Sequence, residues 1–291
     1  IGSNIEWTGS GAGAINSRNL KALREVLGSD NVDIKELSIA PTFAKRLNRS
    51  LRFYLGDLSK KQEKEIIDSI KSQQYTHCFL SHSLLGRLAK RIKLTNPSIQ
   101  IITFFHNIER QYAKELVRVN GVKHYLFLWS ASYNERLAAK YSDKVIALNQ
   151  RDSTLLQQLY NRKEDLLLPT SFEDVFDKSK IVSYNTQKYA YLFVGVAFFA
   201  NVEGIKWFVE NVMPSISGKL AIVGSGMDKY AKELSRPNVD VMGFVPSLAE
   251  CYYNTKFVVM PIFSGGGMKT KVAEALMYGK TIFASKEALE G

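Results

Sequence analysis

Cysteine is scarce in this 291-residue sequence: Cys78 and Cys251 are the two present, far apart in apolar surroundings. That excludes a disulfide framework, fits buried thiols in a reducing cytoplasm and argues against a thiolate metal site. No run approaches the roughly 20 apolar residues that span a bilayer, which excludes an integral membrane helix. No basic region precedes an apolar segment at the N-terminus, so no signal peptide is read, and the opening IGSN reads as the inside of a first strand. Internal repeats and low-complexity tracts are also lacking, which excludes solenoids. No D-x-D pair stands at a strand end to carry a divalent ion.

What is present suits a globular protein able to build real cores, with 45% hydrophobic and 23% charged residues. The length predicts two domains at roughly 100 to 200 residues each. The net charge of +11 sits almost wholly in one half. Residues 1–170 carry 26 Lys and Arg against 16 Asp and Glu, whereas residues 171–291 carry 13 against 12. A basic half calls for an acidic partner, either a phosphate-bearing substrate, an anionic leaflet or nucleic acid. Nucleic acid is set aside, because the basic residues are not interleaved with aromatics on a recognisable reading module.

Strand-like runs at 75–80, 99–105, 144–148, 189–194, 220–223, 239–242, 257–262 and 281–284 alternate with helical patterns. One helix is marked by Val202, Ile205, Val209 and Val212, with Asn201 as its N-cap and an end before Pro214. Another is marked by Met268, Val272, Ala275 and Leu276. Strict alternation predicts an α/β protein of parallel sheets covered by helices, built twice. The stretch 169–188 has no sustained period, so the expected organisation is a Rossmann-like domain at 1–170, a linker at 171–188 and a second Rossmann-like domain at 189–291. Ligands of such sheets bind at strand carboxyl ends, and two domains facing a cleft would share one.

The candidate chemistry lies at those ends. A Gly-rich turn at Gly9, Gly11 and Gly13 precedes a helix read over Ala14–Leu27, where bare amides and the helix dipole favour an anion; the same glycines also suit a tight turn with no ligand. His106 follows the strand in IITFFHNIER, and Glu109 comes one helical turn later as a hydroxyl acceptor. Its position makes His106 the best histidine candidate, with a packed histidine as the competing reading, whereas His77, His82 and His124 read as packed or surface histidines. The strongest constellation is FSGGGMKTKVAEALMYG, a strand end running through Gly266 and Gly267 into a helix with Lys269, Lys271 and Glu274. Its amides and lysines suit a diphosphate, and its carboxylate suits two vicinal ribose hydroxyls. Three further strand ends close on glycine, at Gly195, at Gly224-Ser225 and at Gly243-Phe244-Val245, and together predict a continuous ligand floor.

These motifs, with LFVGVAFFANVEGIKWFVENVMP, LAIVGSG and GFVPSLAECYYNTKFVVM in order and FFHNIERQY in the first half, resemble the family 4-like retaining glycosyltransferases of the GT-B fold. That group includes bacterial capsule and lipopolysaccharide enzymes. The resemblance implies a nucleotide-sugar donor held by the second domain and a glycan or lipid-linked acceptor held by the first, through Gly11, Gly13 and Glu109. It implies that Gly243 to Val245 hold the base, Glu274 the ribose, and Gly266 to Lys271 the diphosphate, and that His106 contacts the sugar or phosphate. No cofactor or catalytic metal is implied. Two departures stand out: the glutamate expected eight positions before Glu274 is Gly266, and the Arg and Lys expected after Gly195 are lacking. The phosphate role therefore moves to Lys269 and Lys271. The family also carries helices beyond the position of Gly291, so the C-terminal end reads as incomplete.

The expected function is retaining sugar transfer in envelope or capsule polysaccharide synthesis. The alternatives are a catalytically silent subunit binding polysaccharide or a membrane partner, and a sugar-nucleotide epimerase, which would need acid and base groups not evident here. The segment FAKRLNRSLRFYL, with Lys45, Arg46, Arg49, Arg52, Leu47, Phe53 and Tyr54, predicts docking on an anionic inner membrane face. A solvated charged helix face is the competing reading.

Overall fold

The computed structural model describes the whole chain except residues 4, 7–10, 41, 171–172, 265–269 and 291, and except the side chains of residues 11, 12 and 120. The chain divides into two compact units, Ile1–Thr170 and a second within 171–290.

In the first unit the elements run α1 Gly11–Leu27, α2 Phe43–Leu51, α3 Lys60–Ser72, β1 His77–Leu80, α4 Gly86–Thr95, β2 Gln100–Phe105, α5 Glu109–Asn120, α6 Tyr125–Tyr141, β3 Lys144–Ala147, α7 Gln150–Tyr160 and β4 Leu166–Leu167. The four strands are parallel in the order β1-β2-β3-β4. Ile1 and Gly2 extend this sheet: the Ile1 amine donates to Phe79, the Ser81 N–H donates to Ile1, and Gly2 exchanges bonds with Lys35 and Leu37 on its other side. Helix ends follow local chemistry where the sequence supplies it. Ser59 and Gln62 form a reciprocal capping box on α3, and Asn149 accepts from the Asp152 N–H to start α7. Two helices pack backbone to backbone at Gly86, where an added Cβ would lie 1.8 Å from the Asn134 carbonyl oxygen and 2.5 Å from the Ala138 nitrogen. Glycine there lets the backbones of α4 and α6 touch.

The second unit runs β5 Tyr189–Val194, α8 Phe199–Asn211, β6 Leu220–Val223, α9 Ala231–Leu234, β7 Val239–Gly243, α10 Leu248–Tyr253, β8 Thr255–Met260, α11 Thr270–Met277 and β9 Thr281–Ala284. Its sheet is parallel in the order β7-β6-β5-β8-β9. The chain thus builds outward from β5 to β7, returns, and builds outward from β8, so the topological switch point lies between β5 and β8. One continuous apolar cluster fills this unit, centred on Phe193, Ile205, Ile222, Tyr252 and Val258. Residues 176 and 182 of the stretch read as a linker pack on that cluster, and the Asp177 N–H donates to the Tyr253 hydroxyl.

Three local readings need correction. The strand read at 257–262 spans Thr255–Met260. The first helix starts by Gly11, so Gly11 and Gly13 lie in its first turn rather than before it. Asn201 is not the cap of α8; Phe198 holds that position, and the Asn201 side chain turns back to bond outside the helix. Its role is tertiary.

Candidate functional site

In the first unit the polar groups gather where β1 and β2 end. His82 follows β1, and its Nδ1 accepts from the Leu84 N–H at 3.1 Å. The neutral ring therefore carries its proton on Nε2, which lies 3.3 Å from Glu109 Oε1. His106 follows β2, and its Nε2 lies 3.0 Å from Asn16 Oδ1 on α1. An amide oxygen accepts only, so Nε2 is the donor. Burial pushes both rings down, His82 to about 3 and His106 to about 4, so both are neutral near pH 7.

Glu109 is pushed the other way, up to about 8, first by burial and then by the nearby Glu135 carboxylate. Glu135, on α6, is fully buried and is also raised by burial, to about 7, against the pull of its donors. Those donors are the N–H groups of Glu109 at 2.6 Å and Arg110 at 2.9 Å, the Tyr160 hydroxyl at 2.7 Å and the Ser83 hydroxyl at 3.4 Å. Helix α5 starts at Glu109 with no side-chain cap from Ile108. Glu135 supplies that cap from another helix. Of the two acids, the four-donor Glu135 is the one that stays ionised, and Glu109 keeps a proton.

In the second unit the glycine strand ends come together as the sequence suggests. The Gly195 N–H donates to the Val223 carbonyl, and the Gly224 N–H donates to the Gly243 carbonyl at 2.7 Å. Gly224 has φ 151°, and a Cβ there would lie 1.9 Å from the Gly195 oxygen, so the loop after β6 requires glycine at this position. Ser225 accepts, through its carbonyl, from the Ala197 N–H. Gly243 turns with φ 66° and leaves the Phe244 ring 73% exposed, while Val245 packs on the core.

Helix α11 brings its groups to the switch point. Lys271 Nζ donates to Asn201 Oδ1 at 2.7 Å and lies 5.3 Å from the Phe193 ring; Asn201 Nδ2 donates to the Val196 carbonyl. This bond joins α8 to α11 across the β5–β8 crevice, where open sheets bind ligands. Glu274, one turn on, accepts from the Tyr252 hydroxyl at 3.1 Å, and burial raises its carboxyl above the usual range while that bond opposes the rise. Gly266, Gly267 and Lys269 lie outside the described residues. Sequence reasoning missed His82, Asn16, Glu135, Tyr160, Tyr252 and the relay role of Asn201. Each acts through partners tens of residues away, and no local spacing encodes that.

Among the described residues no group of three or more His, Cys, Asp or Glu has metal-site geometry, and no helix is long and apolar enough to cross a membrane. Residues 188–290 match the family of glycosyl transferases group 1. No curated protein sequence matches the chain. Among solved structures it is similar to HepE of Anabaena in complex with UDP and glucose, at 14% identity and TM-score 0.60 over 93% of this chain and 71% of that one. It is also similar to the apo form of the lipopolysaccharide outer core galactosyltransferase WaaB, at 14% identity and TM-score 0.61 over 100% and 80%. The N-terminal domain of trehalose-6-phosphate phosphatase from Candida albicans shares the fold too, at 13% identity and TM-score 0.54 over 95% and 74%. The chain is thus an α/β protein of the GT-B fold, made of two parallel-sheet domains, and its residues 188–290 are similar to the glycosyl transferases of group 1.

Proposed function

We propose that this protein is a retaining glycosyltransferase that moves a sugar from a nucleotide-sugar donor to a glycan or lipid-linked acceptor in envelope or capsule polysaccharide synthesis. The observation that carries the reading is the meeting of Lys271 and Asn201 across the switch point, with Glu274 one turn away, inside the segment matching the group 1 family. In this reading Glu274 accepts from the ribose hydroxyls, the exposed Phe244 ring and the Gly243 turn receive the base, and Lys271 balances the diphosphate. The bond from sugar C1 to the phosphate oxygen breaks, the acceptor oxygen bonds C1 on the same face, and its proton passes to the departing phosphate. The protein's own cation and amides supply the positive charge, and no cofactor or metal is assigned a step. His106 contacts the sugar or phosphate, exchanging its Asn16 partner for the ligand, and Glu109, Gly11 and Gly13 belong to the acceptor side.

The reading also places the protein on the inner face of a membrane. Phe43, Leu47 and Leu51 are exposed along α2 beside Lys45, Arg46 and Arg52, a mixture that suits an anionic lipid surface. Three residues drop out of the sequence-read cluster. Arg49 bonds the Ser38 and Asp57 carbonyls, Phe53 packs on Trp129 and Tyr133, and Tyr54 is buried on Glu63.

Gly266, in place of a glutamate, favours the second reading of a catalytically silent binding subunit. One experiment separates them. Calorimetric titration with nucleoside diphosphates and nucleotide sugars, followed by assay of sugar release and transfer, is expected to give binding and turnover. Glu274→Ala is expected to weaken nucleoside diphosphate binding at least tenfold, since two charge-assisted bonds of about 1.5 to 3 kcal/mol each are lost. Tight binding with no turnover supports the silent subunit. No nucleotide binding at all removes the transferase reading and leaves the silent subunit, which binds polysaccharide or a membrane partner.

A further inference from the structure

Tyr252 presents an unusual use of a phenol. It is fully buried on α10, and its ring stacks on Tyr278 at 4.7 Å with 13° between planes, while Tyr253 meets the same Tyr278 ring edge-on at 5.3 Å. Phenylalanine would fill this space equally well, and a buried hydroxyl costs free energy unless it finds a partner. The partner is Glu274 Oε2 at 3.1 Å, and among the described residues Tyr252 is that carboxylate's one hydrogen-bond donor. The stack fixes the ring, the ring fixes the hydroxyl, and the hydroxyl selects one rotamer of the glutamate.

We infer that Tyr252 is a positioning residue that presets Glu274 so that its Oε1 faces a vicinal diol, giving the site its preference for ribonucleotides over nucleotides lacking the sugar hydroxyls. The inference rests on the proposed ribose role of Glu274 and adds the residue that orients it. Without the Tyr252 bond the carboxylate would sample other rotamers, and ordering it would be charged against ligand binding. The bond also favours the ionised, acceptor-only form of Glu274.

The test uses the whole chain with UDP and GDP, each beside its 2′,3′-dideoxy counterpart, in calorimetric titrations of the parent, Tyr252→Phe, Glu274→Gln, the double variant and Tyr278→Phe. The parent is expected to prefer the ribonucleotide at least tenfold. Tyr252→Phe should cut that preference about threefold to tenfold, as for one lost hydrogen bond, with dideoxynucleotide affinity unchanged. In the Glu274→Gln background the same change should do nothing further to the ratio. Tyr278→Phe, which removes the other hydroxyl of the stack, should leave the ratio as it is. A Tyr252→Phe variant that keeps the full preference, or that loses both nucleotides equally, overturns the inference while the ribose role stands. A parent with no preference for the ribonucleotide, or a Glu274→Gln variant that keeps the parent's full preference, overturns the ribose role and the inference together. Melting of each variant checks folding, and Tyr252→Phe retains the stacked ring that holds the fold.

Discussion

The two units solve the same architectural problem with different interiors. Among the described residues the first unit buries Asn16, Glu63, His106, Glu109, Asn134, Glu135, Asn149 and Asp152, and its apolar core divides into separate clusters. The second buries Asn201 and Thr255 as its polar groups, within one continuous apolar cluster. Buried polar networks hold only if every member is satisfied, so the first unit spends its specificity inside and is sensitive to proton count. The second keeps its polar groups at the strand ends, where a ligand can meet them. The excess positive charge divides the same way, +10 in residues 1–170 and +1 beyond.

The sharpest way to break the comparison is through backbone contact. Gly86→Ala drives a Cβ into the Asn134 carbonyl of α6, and Gly204→Ala drives one to 1.7 Å from the Pro261 carbonyl. Neither neighbour is a flexible side chain, so each change is expected to cost about 3 kcal/mol or more. Calorimetric unfolding should show Gly86→Ala lowering the melting of the first unit and Gly204→Ala that of the second; one shared shift for both would show that the units unfold as one.

Next in size is chemistry at the switch point. Lys271→Ala is expected to lower turnover about a hundredfold, because a preorganised cation contributes several kcal/mol at a departing phosphate. His106→Ala should lower turnover more than donor affinity. Steady-state kinetics with a donor found by titration checks both, and full activity of Lys271→Ala would move the electrostatic role elsewhere.

The interiors also predict different responses to pH. Glu109 and Glu135 have raised native values, about 8 and 7 against 4.5, so they favour the folded state when protonated and lose that contribution as pH rises towards 8. His82 and His106 have lowered native values against 6.5, so their contribution is lost as pH falls below 6.5. The first unit should hold a plateau between about 4.5 and 6.5 and weaken on both sides. Denaturant unfolding across pH checks this, and Glu109→Gln should flatten the limb between 6.5 and 8. A second unit with an equally steep limb would erase the contrast.

The smallest effect concerns the surface. Each of Lys45, Arg46 and Arg52, changed to Ala, is expected to weaken sedimentation with anionic vesicles about fivefold, near 1 kcal/mol per charge removed. Equal binding of the parent to neutral and anionic vesicles at low salt would remove the membrane assignment.

The sequence by itself determined the alternation of elements, because strands buried on both faces must be short continuous apolar runs. Tyr189–Val194 and Leu220–Val223 are read at their observed bounds, and so is Thr281–Ala284, a half-exposed edge strand. It also determined that Gly195, Gly224 and Gly243 would meet, since parallel strands in series bring their ends to one edge. Tertiary structure alone decided which partners complete those ends. Helix α5 begins with Ile108, which has no side-chain acceptor, at its cap position although Asn107 stands beside it, and the cap arrives from Glu135 on α6. Asn201 looks like a local cap and instead holds Lys271, 70 residues away. A hydrogen bond depends on where two side chains stand in space, and for groups this far apart only packing sets that distance.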